Sequence, residues 1–173
     1  VESDVAVVSG AAYGIDGAAH RAALAGEGVT VAVLAGGIDV PYPSGHSSLL
    51  HRIARDGLIL SEYPPGVRPA RYRFLTRNRL VAAISRATVV VEAGLRSGAA
   101  NTASWASDLG RVVCAVPGPV TSSASAGCHQ LLRNNADAVL VTRSAEILEI
   151  VGRIGECADE QPRPAARLDG LTG

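Results

Sequence analysis

The sequence predicts an open, doubly wound α/β fold: a mostly parallel sheet with helices on both faces. Three observations predict it. Apolar runs such as VAVVS at residues 5–9 and TVVVE at residues 88–92 lack the alternation of a half-solvated strand, so they are strands buried on both faces. Stretches of helical length separate these runs, which is the pattern of successive βα units. Glycine-rich loops follow the first strand and the most apolar one, at the edge where such sheets bind ligands.

Each element follows in turn. Residues 5–9 form the first strand, a loop at 10–14 carries Gly10 and Gly14, and a helix covers 15–25. The second strand is 29–34, followed by a Gly/Pro/Ser loop to Gly45 and a helix over 46–55. Residues 57–60 are a short third strand. The loop at 62–72 holds Pro64, Pro65, Gly66 and Pro69, which break regular structure, and a helix follows over 74–84. The fourth strand, 88–92, leads through 94–98 into a helix ending at Leu109. A fifth strand at 111–116 precedes a turn-rich loop, 117–127, and a short helix, 128–134. The last strand is 138–141 and the last helix 144–154. Residues 1–154 are thus the core domain, and 155–173 read as a polar linker or tail.

The 173 residues suit one domain, and 47% hydrophobic with 18% charged residues is a globular balance. Aromatics are only 3%, so Val, Leu, Ile and Ala must build the core. No apolar run reaches the roughly 18 residues that span a bilayer, so no membrane role is expected. No secretory leader is evident at the N-terminus. Cys114, Cys128 and Cys157 are widely spaced and form no metal-type pair, which points to a reducing, cytoplasmic compartment. Net charge is zero, but from Arg52 to Arg96 nine arginines face three acids, Asp56, Glu62 and Glu92. That middle segment is either a candidate anion-binding face or a set of solvated surface arginines.

Three segments carry candidate chemistry. The loop from Ser9 through Gly10, Ala11 and Tyr13 precedes a helix, whose N-terminal amides form an anion site; a tight turn is the plainer alternative. Ser97 and Gly98 open a second helix in the same way, without the Lys of a phosphate-binding P-loop. Neither loop is a dinucleotide fingerprint, so no cofactor is expected. The third segment interleaves Arg71, Arg73, Arg77 and Arg79 with Tyr72 and Phe74, a mixture that stacks on unpaired bases and grips phosphates. Arg77 and Arg79 lie about 200° apart around a helix, so both cannot point at one ligand unless the helix starts later or one of them is structural, paired with Glu62 or Glu92. Asp16 and His20, four residues apart, form either an acid/base pair or, more simply, an orienting contact. Trp105 reads as a core anchor.

Six ordered motifs resemble one family. They are SGAAYGIDGAAH (9–20), VAVLAGGIDVPYP (31–43), LSEYPPG (60–66), FLTRNRLVAAIS (74–85), VVVEAGLRSGAANTASWA (89–106) and GRVVCAVPGPV (110–120). Together they resemble the Rossmann-like domain of the DNA-processing DprA (Smf) family over residues 5–141. The resemblance implies a non-catalytic, dimeric recombination mediator that binds single-stranded DNA and helps load the recombinase RecA in natural transformation. It carries the phosphate-facing role onto Ser9, Gly10 and the loop after them, the R-N-R motif onto Arg77, Asn78 and Arg79, and the S-G loop onto Ser97 and Gly98. The expected DNA-binding set is Ser9, Gly10, Ala11, Tyr13, Arg71, Arg73, Phe74, Arg77, Asn78, Arg79, Ser97 and Gly98.

The chain departs from the family pattern at two positions. Tyr13 stands where many members have Arg, exchanging a charged contact for a ring, and Leu75 stands where Pro is usual. The resemblance also implies that the first βα unit of the fold, a small helical domain before it and a winged-helix domain after it are missing. The competing function is a nucleoside-monophosphate phosphoribohydrolase on a related fold. That family has a P-G-G-x-G-T-x-x-E motif, and residues 92–102 lack an acid at that spacing.

Overall fold

The computed structural model describes residues 5–152; the expected tail at 155–173 and Cys157 lie outside the described residues. Strands and helices alternate: β1 Val7–Ser9, α1 Ile15–Ala25, β2 Thr30–Val33, α2 Ser47–Asp56, β3 Leu58–Leu60, α3 Arg71–Ile84, β4 Ala87–Val90, α4 Gly98–Asp108, β5 Val112–Ala115, α5 Ala126–Asn134, β6 Ala138–Leu140 and α6 Ser144–Val151. A single 3-10 turn, Ser44–His46, leads into α2.

Every strand pairing is parallel, as the unbroken apolar runs require. Val8 sits opposite Val31, and Val31 opposite Leu58; in the second half Val89 faces Cys114, which faces Val139. The expected single sheet is divided in two, with orders β1-β2-β3 and β4-β5-β6. β1 and β4 each have a ladder neighbour on one side only, and a cleft lined by Val8 and Ser9 on one flank and residues 87–90 on the other separates them. Helix α3 bridges the halves by packing on α4 and against β1 and β2.

Two cores result, one per sheet. Ala11, Leu24, Ala32, Leu34, Leu49, Leu50 and Ile53 form the first. In the second, Ala82 of α3, Ala103 and Ala106 of α4, and Val90, Val113, Ala115 and Cys128 pack together. Alanines on the facing sides of α3 and α4 let the two helices approach closely. Cys114 is buried within its strand, as expected. Trp105 is not a core anchor: it is 37% exposed, because α4 turns its alanines inward instead.

Helix α3 begins three residues before the expected Phe74. Ala70 is extended and caps it, and the Arg73 amide donates to the Ala70 carbonyl at 2.9 Å. The helix therefore takes Arg71, Tyr72 and Arg73 into its first turn, although cations there oppose the helix dipole. Stacking offsets this: the Arg73 guanidinium lies 5.1 Å from the Tyr63 ring centre and 5.4 Å from that of Tyr72.

Candidate functional site

The loop after β1 is held from three sides. Ala11 adopts a left-handed φ of 58° and is fully buried. That conformation is costly for a side-chain-bearing residue and persists only where contacts fix it. His46 donates from Nδ1 to the Ala11 carbonyl at 3.0 Å. Asp16, in the first turn of α1, accepts the Gly10 and Ala12 amides on Oδ2 at 3.1 and 3.2 Å. The amides assigned from sequence to an incoming anion are thus already occupied by an internal carboxylate.

Asp16 and His20 do not join as a pair. Thr30 Oγ1 donates to the Val7 carbonyl at 3.1 Å and lies 2.7 Å from His20 Nδ1. With its hydrogen so committed, Thr30 accepts, and His20 donates from Nδ1. His20 Nε2 is then the bare nitrogen, buried without a partner. Burial holds this imidazole below the ordinary histidine value, a trend the nearby Asp16 charge partly counters. Both residues are occupied in holding the fold.

The three residues of the R-N-R motif point three ways. Arg77 is only 6% exposed. Its Nη1 donates to the Gly10 carbonyl at 3.1 Å and to the Val33 carbonyl, so it clasps the ends of β1 and β2. Its Cζ is 5.9 Å from the centre of the Phe74 ring. Burial lowers its pKa from the ordinary arginine value, and the Asp16 charge counters the shift. Asn78 donates to the Gly98 carbonyl at 3.3 Å and to Asn101 Oδ1 at 3.2 Å, tying α3 to the start of α4. Arg79 projects outward, and its Nη2 meets both oxygens of Glu62 at 2.7 and 2.5 Å. Glu62 is one of the two partners anticipated for these arginines.

Of the remaining candidates, Ser97, Gly98 and Tyr13 line a shared cleft, and Arg71 and Arg73 do not. Ser97 caps α4, its hydroxyl accepting the Ala99 amide at 3.2 Å, and Gly98 is the first residue of the helix. Arg73 donates to the Arg68 carbonyl. The Arg71 side chain is exposed and engages no side chain or carbonyl among the described residues. Tyr13 is 64% exposed; its hydroxyl accepts the Gly45 amide at 3.1 Å and its ring meets His46 edge-on at 4.8 Å.

The cleft between β1 and β4, about 460 Å³, gathers most of the predicted set. Ser9, Gly10, Tyr13, Phe74, Arg77, Asn78, Ser97 and Gly98 all line it, together with Asp16 and Glu92. Ala11 is buried in the first core, while Arg71, Arg73 and Arg79 do not line the cleft. Sequence reasoning missed His46 and Tyr42, which reach the site from the loop after β2. The Tyr-Pro pair in that loop was the available signal. Among the described residues no three His, Cys, Asp or Glu side chains are grouped to hold a metal ion, and no helix is long and apolar enough to cross a membrane.

Comparisons with known proteins agree with this architecture. Residues 1–152 match the family model for DNA recombination-mediator protein A. The chain is 75% identical over 171 residues to a DprA-type DNA processing protein of Mycobacterium tuberculosis, covering 99% of this chain and 43% of that protein. It is 43% identical over 148 residues to the DNA processing protein DprA of Streptococcus pneumoniae, covering 86% of this chain and 52% of the relative. The chain therefore spans about half the length of these relatives. The crystal structure of the Streptococcus pneumoniae protein superposes with a TM-score of 0.81 at 40% identity, over 88% of this chain and 53% of that one. The DNA processing protein A of Helicobacter pylori, whose structure concerns its single-stranded DNA binding mode, superposes with a TM-score of 0.75 at 30% identity, over 83% and 64% of the two chains.

Proposed function

The chain belongs to the DNA recombination-mediator protein A family, and from that membership we propose that it binds single-stranded DNA as a non-catalytic mediator. The observation that carries this reading is the shared cleft, where a glycine loop, the Phe74 ring and the cap of α4 converge. The structural relative from Helicobacter pylori binds single-stranded DNA, which supports the same ligand here. In this reading Arg77 and Asn78 shape the cleft from beneath, while Arg71, Arg73 and Arg79 supply charge along the strand's path. Phosphates bind such guanidinium groups, and bases stack on nearby rings. We extend the proposal to a homodimer that works in the cytoplasm, in DNA processing and natural transformation, and helps load RecA.

Titrating a labelled oligothymidylate against salt tests the reading. Affinity is expected to fall steeply with salt, and Arg71→Ala is expected to reduce the slope by about 0.7, the value of one single-strand phosphate contact. Arg77→Ala is expected to weaken binding across sequences, through loss of the loop geometry. An affinity that does not respond to salt would overturn the proposal.

A further inference from the structure

We propose that Asp16 is a positioning residue for the bound strand: its carboxylate sets the shape of the loop after β1, and losing it weakens binding although its charge repels DNA. This role rests on the single-stranded DNA function proposed above. Three charged side chains line the cleft, Asp16, Arg77 and Glu92, so two of the three are acids. A strand phosphate entering the cleft meets a like charge at Asp16, and like charges at short range oppose binding. On charge alone, removing Asp16 would help the strand to bind. Its hydrogen bonds point the other way.

The carboxylate holds the two amides on either side of Ala11. Gly10 and Ala12 both donate to its Oδ2, at 3.1 and 3.2 Å. Ala11 between them has a φ of 58°, which a side-chain-bearing residue keeps only under outside constraint. Two amides converging around a left-handed residue form a concavity that takes an anion. Here the anion is part of the chain. Asp16 serves the loop rather than its own helix, since Gly14 occupies the cap position of α1 and no side chain caps it. Without the carboxylate, Ala11 is expected to relax toward a negative φ, and Ala12 and Tyr13, which line the cleft, would turn with it.

Other contacts complete the loop but do not duplicate this one. His46 holds the Ala11 carbonyl and Arg77 the Gly10 carbonyl, so both grip acceptors. Asp16 alone of these three holds donors, the groups that would otherwise turn toward a phosphate. The choice of a carboxylate has two further physical reasons. An acid in the first turn of a helix suits the helix dipole. Its charge also counters the burial of the Arg77 guanidinium, whose grip on the same loop depends on staying in place.

The test measures oligothymidylate affinity at low salt for the full chain and three Asp16 variants, with urea denaturation establishing that each is folded. Asp16→Ala is expected to lose about tenfold affinity, the size expected when hydrogen bonds to a charged group are lost, although it removes a repelling charge. Amide exchange at Gly10 and Ala12 should accelerate in it. Asp16→Asn keeps an oxygen where the two amides need it and is expected to recover most of that loss. Asp16→Glu keeps the charge but displaces it by one methylene, and is expected to bind more weakly than Asp16→Asn. Charge alone would give a different pattern, in which Glu matches the parent while Ala and Asn both gain. That pattern, or equal affinity in all four folded proteins, overturns the positioning role and leaves the DNA-binding function standing. If Asp16→Ala does not fold, the comparison of Asn with Glu decides: Glu binding as tightly as Asn, or more tightly, overturns the role. If the wild-type chain itself does not bind in a salt-dependent way, the function and the role fall together.

Discussion

Arg77 lies directly against Gly10: its Nη1 donates to the Gly10 carbonyl at 3.1 Å, and a Cβ on Gly10 would come within 2.3 Å of Nη2. One side chain of α3 thereby fixes the loop after β1 and, through the Val33 carbonyl, the end of β2. The glycine is there for the close approach of a guanidinium.

Gly10→Ala is therefore expected to push Arg77 from its two carbonyls. Arg77 is anchored at its tip, so the clash is not relieved by a simple swing. Overpacking of this kind costs about 1–3 kcal/mol, to be read as a lower urea midpoint with an unchanged m-value. Oligonucleotide affinity is expected to fall with it. A variant as stable as the parent would show that the Arg77 clasp carries no weight.

Stability is expected to depend on His20 below neutral pH. Protonating its bare Nε2 would place an unpaired charge in the first core. The folded pKa is depressed, so below the ordinary value near 6.5 the unfolded chain binds more protons than the folded one. Stability is then full above that value and declines as pH falls toward the lower folded pKa. Denaturation at pH 7.5 and 5.5 checks it. His20→Asn keeps a donor for Thr30 and removes the titration, so its loss of stability between the two pH values should be smaller than that of the parent.

Ser97→Ala is expected to cost about 1 kcal/mol, the usual value of an N-cap. The cap closes on Ala99 at the head of α4, where Asn78 also docks on the Gly98 carbonyl. Fraying should therefore reach the cleft, and amide exchange at residues 99–101 should accelerate. Ser97→Asp, which caps equally well, should restore the slow exchange. If it does not, the hydroxyl serves some purpose other than capping.

The order of the elements was legible because parallel strands of such a sheet write themselves as unbroken apolar runs; β1, β2 and β5 all lie within the runs that announced them. The start of α3 was not, since Arg71 and Arg73 oppose a helix dipole, and the contacts that hold Arg73 there, the rings of Tyr63 and Tyr72 and the Arg68 carbonyl, do not show in the sequence pattern. The division into two sheets was hidden too, because a strand's own residues do not record how many neighbours it has. In the site, sequence grouped the right loops but not their internal partners. Arginine is ordinarily a surface residue, and nothing local marks Arg77 as buried. Its partners are backbone carbonyls 67 and 44 residues away. Asp16 and His20, one turn apart, read most simply as an orienting contact with each other, whereas the partners of Asp16 lie in the preceding loop.

Glu62 is expected to compete with DNA for Arg79. The pair is half exposed, with side chains 40% and 42% accessible, so it adds at most about 1 kcal/mol to stability. A strand phosphate would ask for the same guanidinium that the carboxylate holds at 2.5 and 2.7 Å. Glu62→Gln removes the competing charge while keeping the shape of the side chain. Its melting temperature should barely move, its affinity for oligothymidylate should rise at low salt, and its salt slope should steepen by about 0.7, the increment of one further phosphate contact to a single strand. Adding Arg79→Ala to Glu62→Gln should abolish both gains. If Glu62→Gln instead melts early and binds less tightly, the pair serves to pin the loop after β3 against α3, and Arg79 is a structural residue like Arg77.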